Sequence, residues 1–360
     1  MNLRYLLIFA YHCNPKWEHN VREMIVISRQ FWIIIALFIW TVHSLSAQRT
    51  SGTPIGVIGF YNVENLFDTE DDPEIRDEEF LPEGRNNWTE EKYQRKLINM
   101  SNVIKEMSGG PDILGLSEIE NRKVVEDLTK TPALKNLQYG IVHFDSPDRR
   151  GIDVALIYKA SKFKPFDVNR IPLVDDSEPN FKTRDMLWVK GLYYGDTLHV
   201  CVVHWPSRRG GKQDKRLLAG KVLRSRVDSV LAINPESKII LMGDFNDDPS
   251  NKSIKKELGA DLSRDADKLY NTSFSTFKKG YGTLMFRGVW NMFDQIIVSP
   301  ALLKENKSGY FYKDNTFSIV AMEWMQVKDS GGQPKRTFSR GVYYEDGYSD
   351  HYPVYIILAK

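Results

Sequence analysis

The sequence predicts an α/β fold, and three observations carry that reading. Short apolar runs that end on polar residues alternate with two long amphipathic segments, as strands interleaved with helices do. Hydrophobic residues make up 42% and charged residues 27% of the 360, which excludes a disordered, collagenous or low-complexity chain. No internal repeat and no linker rich in Pro, Gly or Ser divides the folded part, so residues 48–360 read as one domain behind an N-terminal extension, residues 1–47. The net charge is +2, which excludes nucleic-acid binding by bulk positive charge and requires any polyanion to be met locally. Two cysteines, Cys13 and Cys201, exclude a disulfide framework and a cysteine-rich zinc site.

The extension reads as an export signal. Phe31 to Val42 (FWIIIALFIWTV) is an apolar run of 12 residues, preceded by Arg22 and Arg29 and followed by Ser44-Leu-Ser-Ala47. Its length suits a signal-peptide core of about 7 to 15 residues and falls short of the roughly 18 needed to span a membrane. Cleavage is expected after Ala47, with Leu45 standing where a small residue is preferred. Met24 is an alternative start, since it already yields a complete signal; an uncleaved anchor is the alternative to cleavage. Removing residues 1–47 leaves the chain at zero net charge and Cys201, inside HVCVVHW, as a small buried hydrophobe.

Along the remaining chain, Pro54 to Tyr61 (PIGVIGFY) reads as a buried strand ending on Asn62. Asp68 to Glu79 reads as a solvated acidic loop. Thr89 caps a helix whose Tyr93, Leu97, Met100, Ile104 and Met107 fall on one face, and Gly109-Gly110-Pro111 ends it. Strands follow at Asp112–Ile119, Tyr139–Phe144, Val154–Tyr158, Leu187–Leu192 and Leu198–Trp205. A second helix spans about Lys212 to Ala232, with Leu217, Leu218, Val222, Leu223, Val227, Val230 and Leu231 on one side and arginines and lysines on the other. Strands at Lys238–Gly243, Asn291–Val298 and Tyr352–Leu358 complete the pattern.

Polar residues cluster where these buried strands end: Asn62 and Glu64, Glu118, His204, Asp244 and Asn246, and Asp350-His351, with Asp294 beginning or interrupting a strand. An unpaired ionised group beside an apolar run costs several kcal/mol, so these groups must satisfy one another or a cation. Oxygen ligands without thiolates suit Mg²⁺ or Mn²⁺. Two histidines with acidic partners supply a general base and a general acid, and together with a metal that is the equipment of phosphoester hydrolysis. Taken singly, a strand-end Asp or His is more often a turn or cap residue than a catalyst.

The ordered blocks FYNVEN, LGLSEIEN, RRGIDVALIY, VVHWPSRRGG, GDFND, FDQIIVS and SDHYPV resemble the endonuclease/exonuclease/phosphatase superfamily, the deoxyribonuclease-I-like fold, over about Ile55 to Leu358. The resemblance implies a four-layered α/β sandwich, two mostly antiparallel sheets packed face to face and flanked by helices. It implies Glu118 as the principal metal ligand with Asn62 and Asp350 beside it, and His351 as the base that activates water, oriented by Asp294. Asp244 and Asn246 would hold the phosphate and the attacking or leaving oxygen. His204 resembles the second histidine of the branch containing secreted deoxyribonucleases and sphingomyelinases. Asp153 stands, at slightly different spacing, where pancreatic-type deoxyribonucleases have a glutamate partner for it.

Glu64 and Glu120 read as structural acids near the site. Trp205, Arg208 and Arg209 follow His204 directly, and Arg149-Arg150 precede Asp153, so they are candidates for gripping phosphate. The competing reading is a solvated basic loop. Trp290 and Tyr281 read as packing residues, with base stacking as the alternative. The function expected is a metal-dependent phosphodiesterase, foremost an exported monomeric nuclease acting on nucleic acid. A phospholipid or inositol-phosphate phosphoesterase is the alternative on the same scaffold. A catalytically silent binding protein would show losses among the ligand positions, and none is missing.

Overall fold

The structure, a computed structural model, describes residues 52–360 apart from 210–211, 287, 306–308 and 340–342. The apolar run Phe31–Val42, Cys13, Met24 and the cleavage expected after Ala47 lie outside the described residues. Chain order begins with β1 (Pro54–Leu66), α1 (Glu90–Glu106), β2 (Ile113–Ile119), α2 (Arg122–Lys130), β3 (Tyr139–His143) and β4 (Asp153–Lys159). The crossover through α1 makes β1 and β2 parallel neighbours, as a helical connection of that length allows. Both helices start on side-chain caps: Thr89 accepts from the Lys92 amide and Asn121 from the Val124 amide.

A meander of β5 (Phe163–Ile171), β6 (Met186–Tyr193) and β7 (Asp196–His204) follows, and α3 (Gln213–Ile233) crosses over to β8 (Lys238–Asp244), parallel to β7. Short elements come next: β9 (Ala260–Asp261), β10 (Leu269–Asn271), α4 (Phe274–Lys278), β11 (Leu284–Phe286), β12 (Val289–Asn291) and β13 (Asp294–Val298). The chain closes through β14 (Phe311–Tyr312), β15 (Ser318–Ile319), β16 (Phe338–Ser339), β17 (Tyr343–Tyr344) and β18 (Val354–Ala359). One seven-stranded sheet runs β14-β18-β1-β2-β4-β3 with β15 on β18, and the other runs β5-β6-β7-β8-β13-β10-β9. Most pairs are antiparallel; the parallel ones are β1/β2, β7/β8 and β9/β10.

Three buried clusters define the layers. Ile58 and Phe60 of β1 meet Val200 and Val202 of β7, Met242 of β8 and Ile296 of β13 between the sheets. Tyr93, Leu97 and Ile104 of α1 and Val124 and Leu128 of α2 cover the outer face of the first sheet. Leu223 and Val227 of α3 cover the second, against Cys201, Val203, Ile239 and Leu241. The result is the four-layered sandwich expected, and each fully buried Val, Leu, Ile or Phe contributes about 1.5–3 kcal/mol to holding it.

Several elements differ from the sequence expectation for identifiable reasons. The segment read as one strand over Asn291–Val298 is two, β12 and β13, because the Met292 amide leaves the ladder to donate to Asp248 Oδ1 at 2.8 Å. β5 escaped the sequence reading: it is an edge strand with most side chains in solvent and carries Pro165 beside a register shift, so it lacks an apolar signature. The acidic loop is only partly solvated, since Asp68 and Asp77 are buried. Asp68 accepts from the Glu70 amide and pairs with Lys123, and Asp77 accepts from the Asp72 amide. Among the described residues, no helix is long and apolar enough to cross a membrane.

Candidate active site

The two-residue period of a strand decides which polar ends meet. In β7 the row Leu198, Val200, Val202 faces the inter-sheet core and continues to His204, while Cys201 and Val203 face α3 and continue to Trp205. In β8 the inner row Ile240, Met242 continues to Asp244; in β1 Ile58, Phe60 continues to Asn62; in β13 Asp294 precedes Ile296 and Val298. These side chains therefore converge where the inter-sheet core opens at one end. β7 and β8 approach closely there: a Cβ on Gly243 would lie 2.1 Å from the Val203 carbonyl oxygen. That register sets His204 directly beside Asp244.

Glu118 breaks the alternation. Leu114, Leu116 and Ile119 all face α1 and α2, which requires one extra residue, and the register shifts between Ser117 and Ile119. Glu118 is that residue, with φ of +61°, and the bulge turns its carboxylate toward the site. Its Oε2 accepts from the Asn65 amide at 3.1 Å, and its Oε1 lies 3.7 Å from His204 Nε2. Glu64 and Asn65 are also left-handed, with φ of +49° and +53°, so β1 bends past Asn62 to deliver that amide.

Asp244 is the hub. Its Oδ2 accepts from Asn62 Nδ2 at 3.1 Å and lies 3.6 Å from His204 Nε2 and 3.9 Å from His351 Nε2; its Oδ1 accepts from the Asn246 amide at 2.8 Å. Burial, with the charges of Asp294 and Glu118, pushes its carboxyl up to about 7. Asn246, left-handed at φ +51°, donates Nδ2 to the Trp205 carbonyl at 3.0 Å. His351 Nδ1 bonds Asp294 Oδ2 at 2.7 Å, and Thr283 donates its hydroxyl to the same oxygen. Ser349 fixes the histidine from behind, accepting from the His351 amide at 3.1 Å and donating to the Asn62 carbonyl at 2.7 Å. Burial works against a charge on His351, but the Asp294 carboxylate outweighs it and holds the imidazole well above its ordinary range. His204 is held well below its range by burial, then by the charges of Arg184 and Arg150.

Asp244, Asp294 and His351 offer ligand atoms within 4.8 Å of one another. Asp294 and His351 Nδ1 are committed to each other, however, whereas Glu118 Oε1 and Asp350 Oδ1 stand 3.7 and 3.9 Å from histidine nitrogens, beyond hydrogen-bond range. Among the described residues these two oxygens have no close donor, while the other Asp350 oxygen lies 3.4 Å from Arg336; next to buried Asp244 and the Asn62 amide they are a donor set that fits a hard divalent cation.

The structure brings Asn62, Glu118, His204, Asp244, Asn246, Asp294, Asp350 and His351 together. Trp205 is not part of the cleft: it is 1% exposed and packs edge-on against Phe245, because it sits on the α3-facing row. Arg208 is engaged by protein groups, Asp247, Asp248 and Asn251 among them. Arg150 is half-exposed with Asp148 3.6 Å away, and Arg209 is exposed. Asp153 does not reach His204; it lies in the row of Ala155 and Ile157 that faces the helices, and is held by His143 Nε2 at 3.1 Å and by Ser146. Trp290 packs as expected, stacked on Tyr352 at 6.2 Å between centroids, while Tyr281 is exposed. Glu120 accepts from the Asp68 amide, and burial pushes it up to about 8.

Two charged residues had not been singled out. Arg184 is buried, donating to Asp148 Oδ2 at 2.9 Å and to the Trp205 carbonyl at 2.7 Å. Lys96 of α1 is 1% exposed and donates to Thr337 Oγ1 at 2.5 Å, while the Thr337 amide donates to Glu64 Oε2 at 2.7 Å. Burial pushes Lys96 down to about 8 and Glu64 up to about 8. A lysine at the buried position between Tyr93 and Leu97 was the available sequence signal; Arg184 had none.

Comparison with known proteins identifies a family and a fold. A family model described as the Endonuclease/Exonuclease/phosphatase family matches residues 57–360. TDP2 from D. rerio, solved with a single-strand DNA product, superposes with TM-score 0.53 at 16% identity over 84% of this chain and 98% of that one. A mannosyl-6-phosphatase from Bacteroides thetaiotaomicron gives 0.54 at 16% over 85% and 100%. The human Nocturnin catalytic domain with bound sulfate gives 0.52 at 16% over 86% and 98%. At these identities the likeness is one of fold. No curated protein sequence matches the chain.

Proposed function

The chain belongs to the endonuclease/exonuclease/phosphatase family, hydrolases of phosphoester bonds, and on that premise we propose that it is a divalent-metal-dependent phosphodiesterase acting on nucleic acid. The observation that carries the reading is the placement of two imidazole Nε2 atoms, His204 at 3.6 Å and His351 at 3.9 Å, about one buried carboxylate oxygen of Asp244. A diester must lose an alkoxide, which requires a donor at the leaving oxygen in addition to a base for the incoming water. His351, oriented by Asp294, takes the proton from water; His204, kept neutral by burial, donates a hydrogen bond from Nε2 to the leaving oxygen. Asn246 donates to a phosphate oxygen and Asp244 orients the attacking water. Glu118, Asn62 and Asp350 would hold Mg²⁺ or Mn²⁺, whose charge offsets the phosphate oxygens and favours the neutral, proton-accepting form of His351. Arg150 and Arg209 meet flanking phosphates.

The likeness to TDP2 solved with a DNA strand supports nucleic acid as substrate. The zero net charge of residues 48–360 favours a second reading, a small phosphoester such as an inositol phosphate or a phospholipid headgroup. The domain is read as residues 48–360, monomeric and exported after cleavage at Ala47. Activity on single-stranded DNA, RNA, bis-nitrophenyl phosphate, sphingomyelin and inositol phosphates, with Mg²⁺ or Mn²⁺ and with chelator, tests the reading. Cleavage of nucleic acid and of the activated diester is expected; turnover of inositol phosphates alone would replace it with the second.

A further inference from the structure

Arg208 follows the catalytic strand β7, in a stretch of basic residues that suggests a phosphate grip. The structure gives it another task. Its Nε donates to the Asn246 carbonyl at 3.0 Å and to Asp247 Oδ1 at 3.2 Å. One terminal nitrogen donates to Asp248 Oδ2 at 2.9 Å and Asn251 Oδ1 at 3.0 Å, the other to Asn291 Oδ1 at 3.2 Å. The guanidinium lies 4.5 Å from the centre of the Phe293 ring. The fork is thus filled by two segments: residues 246–251, which begin with a site residue, and residues 291–293, which lead into Asp294.

Both segments are places where the backbone leaves regular structure. Asn246 is left-handed, a conformation that a residue with a Cβ adopts at some cost and keeps only where its surroundings over-determine it. Met292 has left the strand ladder, and the oxygen that receives its amide belongs to Asp248, whose other oxygen binds Arg208. Asp247 is held on its far side by Arg216 Nε at 2.9 Å and by Ser253. We propose that Arg208 is a positioning residue that locks the Asn246–Asn251 and Asn291–Phe293 segments together, so that Asn246 and the Asp294–His351 pair keep a fixed mutual geometry. The proposal rests on the phosphoesterase reading for its kinetic consequence, although the lock itself does not.

Arginine is suited to this because one planar group serves several acceptors in fixed directions, which lysine cannot imitate. Arg208→Lys and Arg208→Gln are therefore both expected to lower kcat on bis-nitrophenyl phosphate by roughly 10- to 100-fold with KM within about twofold, the cost of a small misplacement of reacting groups. Amide hydrogen exchange should accelerate in residues 246–251 and 291–293. Asp248→Asn, which weakens the same lock from its other side, should give the same signature and serves if an Arg208 variant does not fold. A raised KM with unchanged kcat and unchanged exchange would overturn the proposal in favour of a phosphate grip. Wild-type protein inactive on every phosphoester would instead sink the function reading, while the exchange measurement would still decide the lock.

Discussion

Asp294→Asn isolates the contribution of the carboxylate to the chemistry of His351. The pair is buried, with Asp294 0% exposed, and its Oδ2 meets His351 Nδ1 at 2.7 Å. Carboxylate and imidazolium centres about 4 Å apart interact by about 4 kcal/mol at an effective dielectric near 20. At about 1.4 kcal/mol per tenfold, complete loss of that stabilisation would slow proton abstraction by about 10³; the dipole of an asparagine recovers part of it, so a fall in kcat of about 10² to 10³ is expected. Folding should suffer little, because the imidazole can give up its proton and leave no unpaired buried charge, and Thr283 can still bond the new side chain. A purely structural ion pair makes the opposite prediction, a loss of about 3–5 kcal/mol of stability with activity kept in the folded fraction. Steady-state kinetics on bis-nitrophenyl phosphate with Mn²⁺, paired with thermal unfolding, separates the two. A kcat within threefold of wild type would refute the assignment of His351 as the base.

Glu118→Gln preserves shape but removes the charge that a hard cation needs, so Mn²⁺ affinity measured by titration calorimetry should fall at least tenfold, and unchanged affinity would remove Glu118 from the metal site. His199 is buried, and burial, with the nearby charges of Lys190 and Arg226, pushes it down to about 4. Unfolded chains therefore bind more protons than the native state between about pH 4 and 6.5, so stability is complete above that window and falls as the pH drops through it, by at most about 3 kcal/mol. Urea titrations of wild type and His199→Phe across the window check this: the variant should lose that part of the slope, and parallel curves would count against it. Exported protein should begin at Gln48 on N-terminal sequencing, and a membrane-bound form retaining Phe31–Val42 would favour the anchor.

The part of the site that lies on regular strands was legible. His204, Asp244 and Asn62 follow, and Asp294 precedes, apolar runs whose inner rows can be traced two residues at a time, and the same count assigns Trp205 to the opposite face. Asp153 shows the limit of block matching, because an offset of one residue on a strand exchanges its faces. Glu118 could be placed by resemblance but not by period, since the extra left-handed residue reverses the alternation just where it matters. The surroundings of Arg208 were not legible, for a different reason. Its partners Asp248 and Asn251 lie about forty residues downstream, and adjacent arginines carry no mark that distinguishes the one turned inward from Arg209, which is exposed.

This distribution follows from how the site is built. Asn62, His204, Asp244 and Asp294, which the proposed mechanism uses, sit at or near ends of strands whose other residues fill the inter-sheet core, so displacing one of them means shifting an entire apolar row, at about 1.5–3 kcal/mol for each buried side chain disturbed. Side chains that project into solvent between those ends carry no such penalty. The β11–β12 turn and the segments around Trp324 and Tyr343 border the chain that leads to Asp350 and His351, through Trp290 stacked on Tyr352 and Trp324 against Tyr348. They expose large side chains, with Val289, Tyr281 and Tyr343 each about 60% accessible. Exchanging the exposed side chains Val289, Tyr281 and Tyr343 is expected to change stability by no more than about 0.5 kcal/mol. Proposed site groups held by sheet packing and exposed side chains around them are therefore two consequences of one arrangement, in which the strand ends answer to the core.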